Sequence, residues 1–152
     1  MQKIQKIVAA LAFGKYSKGL FDYAAALAGQ LNADLIVASI INERDINTVG
    51  CITSMGYDVD GDHYISSVRK EREKLCQQFI EEAGFPMEKV KIIIKTGHPV
   101  SQLIDICKEE NADMIVMGPK GRTSLETVLI GSVAEKLFRH SPVTIVSYRG
   151  GL

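Results

Sequence analysis

Short apolar runs alternate along this chain with longer stretches in which apolar residues recur every three to four positions. Ile4–Leu11 is almost continuously apolar, as expected of a strand with both sheet faces covered. Ser17 is then placed to cap a helix whose Leu20, Ala24, Leu27 and Ala28 fall on one stripe. Ala33–Ile41 reads as a second buried strand. The polar, glycine-containing stretch Asn42–Asp62 is the least regular part of the chain. A loop of that length in a compact domain is usually functional, mobile or partly helical. A long charged helix is predicted over about His63–Ala83, with Val68, Leu75, Phe79 and Ile80 inward. Gly84 closes it and Pro86 prevents its continuation. Val90–Ile94 is the third strand. Pro99 opens a helix with Leu103, Ile104 and Cys107 inward and Asn111 near its end. Met114–Met117 is the fourth strand, a last helix covers about Leu125–Arg139, and Val143–Ser147 is the fifth strand.

Strands and helices in strict alternation, with Val- and Ile-rich strands, specify a doubly wound α/β fold. Five parallel strands form one sheet with helices on both faces. No repeat, low-complexity segment or linker interrupts the pattern, so residues 1–152 are expected to form one domain.

Composition narrows the function classes. Lys+Arg and Asp+Glu both number 18, so the formal charge is zero and no basic face for nucleic acid or an anionic membrane is implied. A small anion needs only a few backbone amides, so that partner class stays open. Cys51, Cys76 and Cys107 show no CxxC or zinc-like spacing and read as reduced thiols of a cytosolic protein. Lys3 and Lys6 precede an apolar stretch, Ile7–Phe13, that is too short to span a bilayer and lacks a following small-residue cleavage site. A cytoplasmic location is expected.

In doubly wound sheets ligands bind beyond the carboxyl ends of the strands, where strand order reverses. The end of the fourth strand carries the most informative segment, MIVMGPKGRTSLETVLIGSVAEKLF. Gly118-x-x-Gly121 is followed by nine residues and then Gly131-Ser132. Glycines at a strand end let the backbone turn tightly and expose N–H groups, which together form an anion-binding nest. Ser132 adds a hydroxyl donor, and Gly131 within a helical stretch is costly unless something approaches closely. The alternative is purely structural: Gly118 and Gly121 form a turn, and Gly131 permits tight helix–sheet packing. Lys120 and Arg122 either add charge to phosphate contacts or are solvated loop cations.

GxxGx9G followed by Ser or Thr after an aliphatic strand ending in Met-Gly resembles the ATP-binding motif of the universal stress protein family. Ala112–Gly118 resembles the family's approach to that loop, and Gly97-His98-Pro99 is similar to its Gly-x-Pro turn. Ser17–Ala24 resembles the start of its first helix, and Ser141-Pro142-Val143 its entry to the last strand. The resemblance implies a Rossmann-like fold of the adenine nucleotide alpha hydrolase type. It also implies a stress-response protein binding ATP, or its relatives AMP and ADP, with Mg²⁺ as companion ion. Gly118, Gly121, Gly131 and Ser132 would hold phosphates and ribose. Val133 lies beside them, and Met117, Ile40 or Ile41, and Ala10 or Leu11 would line the adenine side. A homodimer through Val143–Ser147 is implied as well. One departure stands out: Ala12-Phe13-Gly14 occupies the position where nucleotide-binding members typically carry an Asp followed by Gly-Ser.

Other chemistries find little support. No Walker A sequence or GxGxxG is present, and His63, His98 and His140 lack metal-ligand spacing. Ser124 and Ser132 lack a neighbouring base. Asp58, Asp60 and Asp62 are spaced like part of a calcium loop, but no Glu follows at the required place. Phosphoryl transfer requires a metal-holding carboxylate and a positioned nucleophile, and no residue can be named for either role. The expected function is therefore an adenine-nucleotide-binding regulator. The alternatives are a dimeric interaction module without nucleotide and a slow ATPase.

Overall fold

The computed structural model describes residues 3–43, 61–119 and 132–150. In chain order these form β1 (Lys6–Ala10), α1 (Ser17–Leu31), β2 (Asp34–Asn42), α2 (Gly61–Ala83), a single 3₁₀ turn (Met87–Lys89), β3 (Val90–Gly97), α3 (Pro99–Glu109), β4 (Met114–Met117), α4 (Ser132–His140) and β5 (Thr144–Ser147). The strands make one all-parallel sheet in the order β3-β2-β1-β4-β5. This is the predicted five-stranded doubly wound sheet.

Side chains alternate across the sheet and divide the core in two. Ile7, Ala9, Leu35, Val37 and Val116 meet Phe21, Ala24 and Ala28 of α1 and Cys76 and Ile80 of α2. Val8, Ile36, Ala38, Ile115 and Met117 meet Val100, Leu103 and Ile106 of α3 and Ala134 and Leu137 of α4. Coverage on both faces explains why β1, β2 and β4 read as continuous apolar runs.

Four differences from the sequence expectations have local causes. Ser17 does not cap α1: Tyr16 holds the cap position without a side-chain bond, and Ser17 is buried in the first turn with its N–H donating to the Gly14 carbonyl at 3.2 Å. β3 continues three residues past Ile94, because β2 pairs with it as far as Asn42 opposite Gly97. The most buried residues of α2 are Arg72, Cys76 and Ile80, with Val68, Leu75 and Phe79 only half-buried. In α3, Ile106 is fully buried beside Leu103 and Cys107, and Ile104 is half-buried. Of the last predicted helix, Ser132–His140 is observed, and residues 125–131 lie outside the described residues. Asn32 and Asn111 both adopt left-handed φ, 52° and 53°, where asparagine ends a helix at low cost.

Cys76 and Cys107 are buried free thiols, and burial pushes each up to about 11. Both therefore stay protonated at neutral pH. A thiol-specific reagent at pH 8 should modify the peptides carrying them at least about tenfold more slowly in the folded protein than in denaturant. Because the folded pKa lies above the unfolded one, stability from these thiols is complete below about pH 9 and is lost as pH rises towards 11. Equal labelling rates in folded and denatured protein would contradict this burial.

Candidate functional site

Strand order reverses between β1 and β4, because the chain steps outward from β1 through β2 to β3 and then returns to β4 on the other side. The chain leaves β1 for α1 on one face and reaches α4 after β4 on the other, and at such a switch point sheets of this kind open a ligand crevice. β4 ends at Met117 and passes directly into Gly118, half-buried, and Pro119, buried. β4 and β5 are parallel, so α4 must run back antiparallel to them, and its first described residue, Ser132, stands at the carboxyl edge. The positive dipole end of α4 faces that edge, and such an end favours an anion. Gly118 and Ser132 thus both stand at the carboxyl edge of the sheet.

The register separates the predicted base-side residues. Ala10, Ile40 and Met117 share the α3/α4 face and pack with the half-buried Val133 in a single cluster. Leu11 belongs to the cluster on the α1/α2 face, and Ile41, alternating with Ile40, points that way too. One apolar wall therefore consists of Ala10, Ile40, Met117 and Val133. Ser132 is exposed at the end of it. Lys120, Gly121, Arg122 and Gly131 lie outside the described residues, as do Ser124, Asp58 and Asp60.

The departure at residues 12–14 has a structural counterpart. β1 pairing continues one step past Ala10, with the Leu11 N–H donating to the Ala38 carbonyl at 2.9 Å. Phe13 then adopts φ 58°, which turns the chain off the strand line. Its ring stacks on Phe79 of α2, with centroids 6.2 Å apart. The Arg72 guanidinium lies 5.5 Å from the Phe13 ring centre. Arg72 Nη1 donates to Ser39 Oγ at 2.8 Å and to the Ile40 carbonyl at 3.2 Å. Arg69, one turn earlier, donates to the Ile94 carbonyl at 2.6 Å. Arg72 is only 6% exposed, a buried cation at the carboxyl end of β2. Arg72 is absent from the residues expected inward on this helix, although Arg72, Cys76 and Ile80 recur at helical spacing and a cation on that inward stripe is the signal the sequence carries.

No group of three or more His, Cys, Asp or Glu side chains able to hold a metal ion occurs among the described residues. His98 is exposed at the cap position of α3 and makes no side-chain capping bond. A separate open groove of about 600 Å³ runs between α1 and the end of α2, edged by Lys18, Asn32, Glu82 and Lys89. Lys18 bridges Asp22 at 2.7 Å and Glu82 at 3.3 Å there. Asp22 above all, with Glu82, raises the Lys18 pKa. This groove extends towards the amino ends of the strands, away from Gly118.

A parallel sheet ordered β3-β2-β1-β4-β5, with helices on both faces, defines a Rossmann-like α/β protein. Residues 3–149 match the universal stress protein family, and the chain belongs to that family. It is 33% identical over 126 residues to the universal stress protein MJ0577 of Methanocaldococcus jannaschii, covering 74% of this chain and 76% of the relative. It is 27% identical over 147 residues to the universal stress protein YxiE of Bacillus subtilis, covering 93% and 97%. Among solved structures, MJ0577 superposes with a TM-score of 0.79 at 23% identity, covering 99% of both chains. A universal stress protein in complex with cAMP superposes at 0.67 and 22% identity, covering 97% of this chain and 98% of that one. No described helix is long and apolar enough to cross a membrane.

Proposed function

We propose that this chain is a cytoplasmic stress-response regulator, one universal stress protein domain over residues 1–152, that binds adenine nucleotides, ATP among them, at the β1/β4 crevice. The observation that carries this reading is the meeting of three features at one sheet edge. These are Gly118 at the end of β4, Ser132 at the amino end of the described part of α4, and the apolar wall of Ala10, Ile40, Met117 and Val133. An anion at the helix end and a flat ring on the wall together describe a nucleotide. The cAMP complex of a protein with the same fold supports the adenine class. In this reading Gly118, Gly121, Gly131 and Ser132 hold the phosphates, Lys120 and Arg122 add charge, and Mg²⁺ accompanies the triphosphate. When bound, the nucleotide supplies a conformational signal rather than a reaction, since no residue is assigned to activating water.

Calorimetric titration with ATP and Mg²⁺ should give saturable binding, and Gly121→Val should weaken it about a hundredfold or more by filling the cradle with a branched side chain. Absence of heat with the unaltered protein would sink the nucleotide reading and leave a dimeric interaction module in its place.

The second part of the proposal is a homodimer through residues 143–147. β5 ends the sheet with β4 on one side only, and Ile145, Val146 and Ser147 remain half-buried. An edge of this kind is protected from aggregation by pairing across a two-fold axis. Sedimentation equilibrium should give twice the chain mass of 16.7 kDa at micromolar concentration. A single-chain mass that does not change with concentration would remove this part of the proposal.

A further inference from the structure

We propose that Arg72 sets the base specificity of the crevice, so that it accepts nucleoside phosphates without selecting adenine. The inference rests on the nucleotide reading above and concerns how the base end of that same site is read.

Bases differ at their edges: adenine presents an amino donor where guanine presents a carbonyl acceptor. A protein discriminates strongly between them only by aiming a fixed donor or acceptor at that position. The wall formed by Ala10, Ile40, Met117 and Val133 carries no amide, hydroxyl or carboxylate side chain. No carboxylate occurs between Leu11 and Gly14 or between Ser39 and Asn42, and Glu43, just beyond, is exposed. Among the described residues, a backbone acceptor at this edge is the Ile40 carbonyl, with the Asn42 side chain two residues further along β2. Carbonyls alternate along a strand, and Ala38 directs its own towards β1, where Leu11 donates to it. The Ile40 carbonyl therefore points to the same side, one step nearer the carboxyl edge. Had β1 continued straight, Phe13 would donate to it. Phe13 instead turns away at φ 58°, and the Arg72 guanidinium donates to the Ile40 carbonyl in its place.

Arg72 is held there from behind the wall. Ser39 Oγ accepts from the same nitrogen, and Phe13, itself stacked on Phe79, covers the guanidinium plane. The β2 carbonyl thus has one of its two lone pairs engaged by a buried cation, which weakens it as an acceptor for a ligand's amino group. What the wall still offers is apolar contact with a ring, which any base satisfies. Affinity then comes mainly from the phosphates.

The test is a calorimetric panel of ATP, GTP and CTP, each with Mg²⁺, against the unaltered protein, Arg72→Met and Arg72→Lys. The unaltered protein should bind all three within about fivefold. Arg72→Met frees the Ile40 carbonyl and should raise the ratio of ATP to GTP affinity by about tenfold, the worth of one hydrogen bond. Arg72→Lys keeps a cationic donor and should stay within the fivefold range. A preference for ATP above about twentyfold in the unaltered protein overturns the proposal while leaving nucleotide binding intact. So does an Arg72→Met protein that binds with an unchanged ratio. If no nucleotide binds the unaltered protein, the nucleotide reading falls and this inference falls with it. Should Arg72→Met fail to fold, the panel on the unaltered protein decides.

Discussion

Phe21→Ala is expected to lower the unfolding free energy by about 3–5 kcal/mol, the range for deleting a buried aromatic ring. Phe21 is fully buried where α1 crosses the sheet, and its ring meets Phe79 of α2 at 5.8 Å. It thus joins three layers: the strands beneath, its own helix, and the neighbouring helix that carries Arg72. α1 cannot settle into the vacated space without moving Ala24 and Ala28, which are themselves fully buried against β1 and β2. A cavity therefore remains and adds to the lost transfer energy. Urea denaturation reads this directly: with a slope of about 1–3 kcal/mol per molar, the midpoint should fall by about 1 M or more. Tyr23, two residues on, is the control. It is 46% exposed and touches the half-buried Tyr148 ring at 5.5 Å, so Tyr23→Ala should cost about 1 kcal/mol or less. Equal midpoints for the two variants would show that α1 does not anchor the core through Phe21.

How much of this was legible depended on whether the signal was local. The strands of the sheet centre were readable because both faces are covered, so Ile7–Ala9 and Met114–Met117 show uninterrupted apolar runs. β3 was read short because it is an edge strand. Past Ile94 it carries Lys95, which pairs with Glu109 at 3.0 Å, and the exposed Thr96. Partner register, not residue character, keeps those residues in the strand. Ser17 illustrates the opposite error: a residue with a strong capping preference lies inside the first turn, because the Gly14 carbonyl begins that turn three residues upstream.

The site divides in the same way. The glycine motif after β4 is local and was visible as spacing alone. Which of Ala10 or Leu11, and of Ile40 or Ile41, shares a face with Met117 is a matter of alternation and pairing, and the register of β1 on β2 and β4 fixes it. Arg72 is legible in neither way. Its role depends on Phe13 leaving the strand line, on the Ser39 hydroxyl and on the Ile40 carbonyl, three positions contributed by two other elements. A charged residue on an inward helical stripe marks such a place without saying what it touches.

Asp113→Ala is expected to cost about 1–3 kcal/mol, although Asp113 is only half-buried and lies in a short connection. Its Oδ2 accepts from the Gln5 N–H at 2.8 Å and from the Lys6 N–H at 3.1 Å. Its own N–H donates to the Lys6 carbonyl at 2.9 Å, and the Gln5 carbonyl accepts from the Asp34 N–H at 2.8 Å. The carboxylate therefore holds the start of β1 between its two neighbours, β2 and β4. Alanine leaves two backbone donors without that partner, whereas Asp113→Asn retains an acceptor and should lose less than about 1 kcal/mol. The contrast also bears on the crevice. Asp113 precedes Met114 at the amino end of β4, and Gly118 follows Met117 at the carboxyl end. Asp113→Ala should therefore reduce stability while leaving nucleotide affinity within about twofold, in the temperature range where the variant stays folded. Affinity falling as far as with Gly121→Val would mean that the β4 register, rather than the glycine turn and the start of α4, holds the ligand.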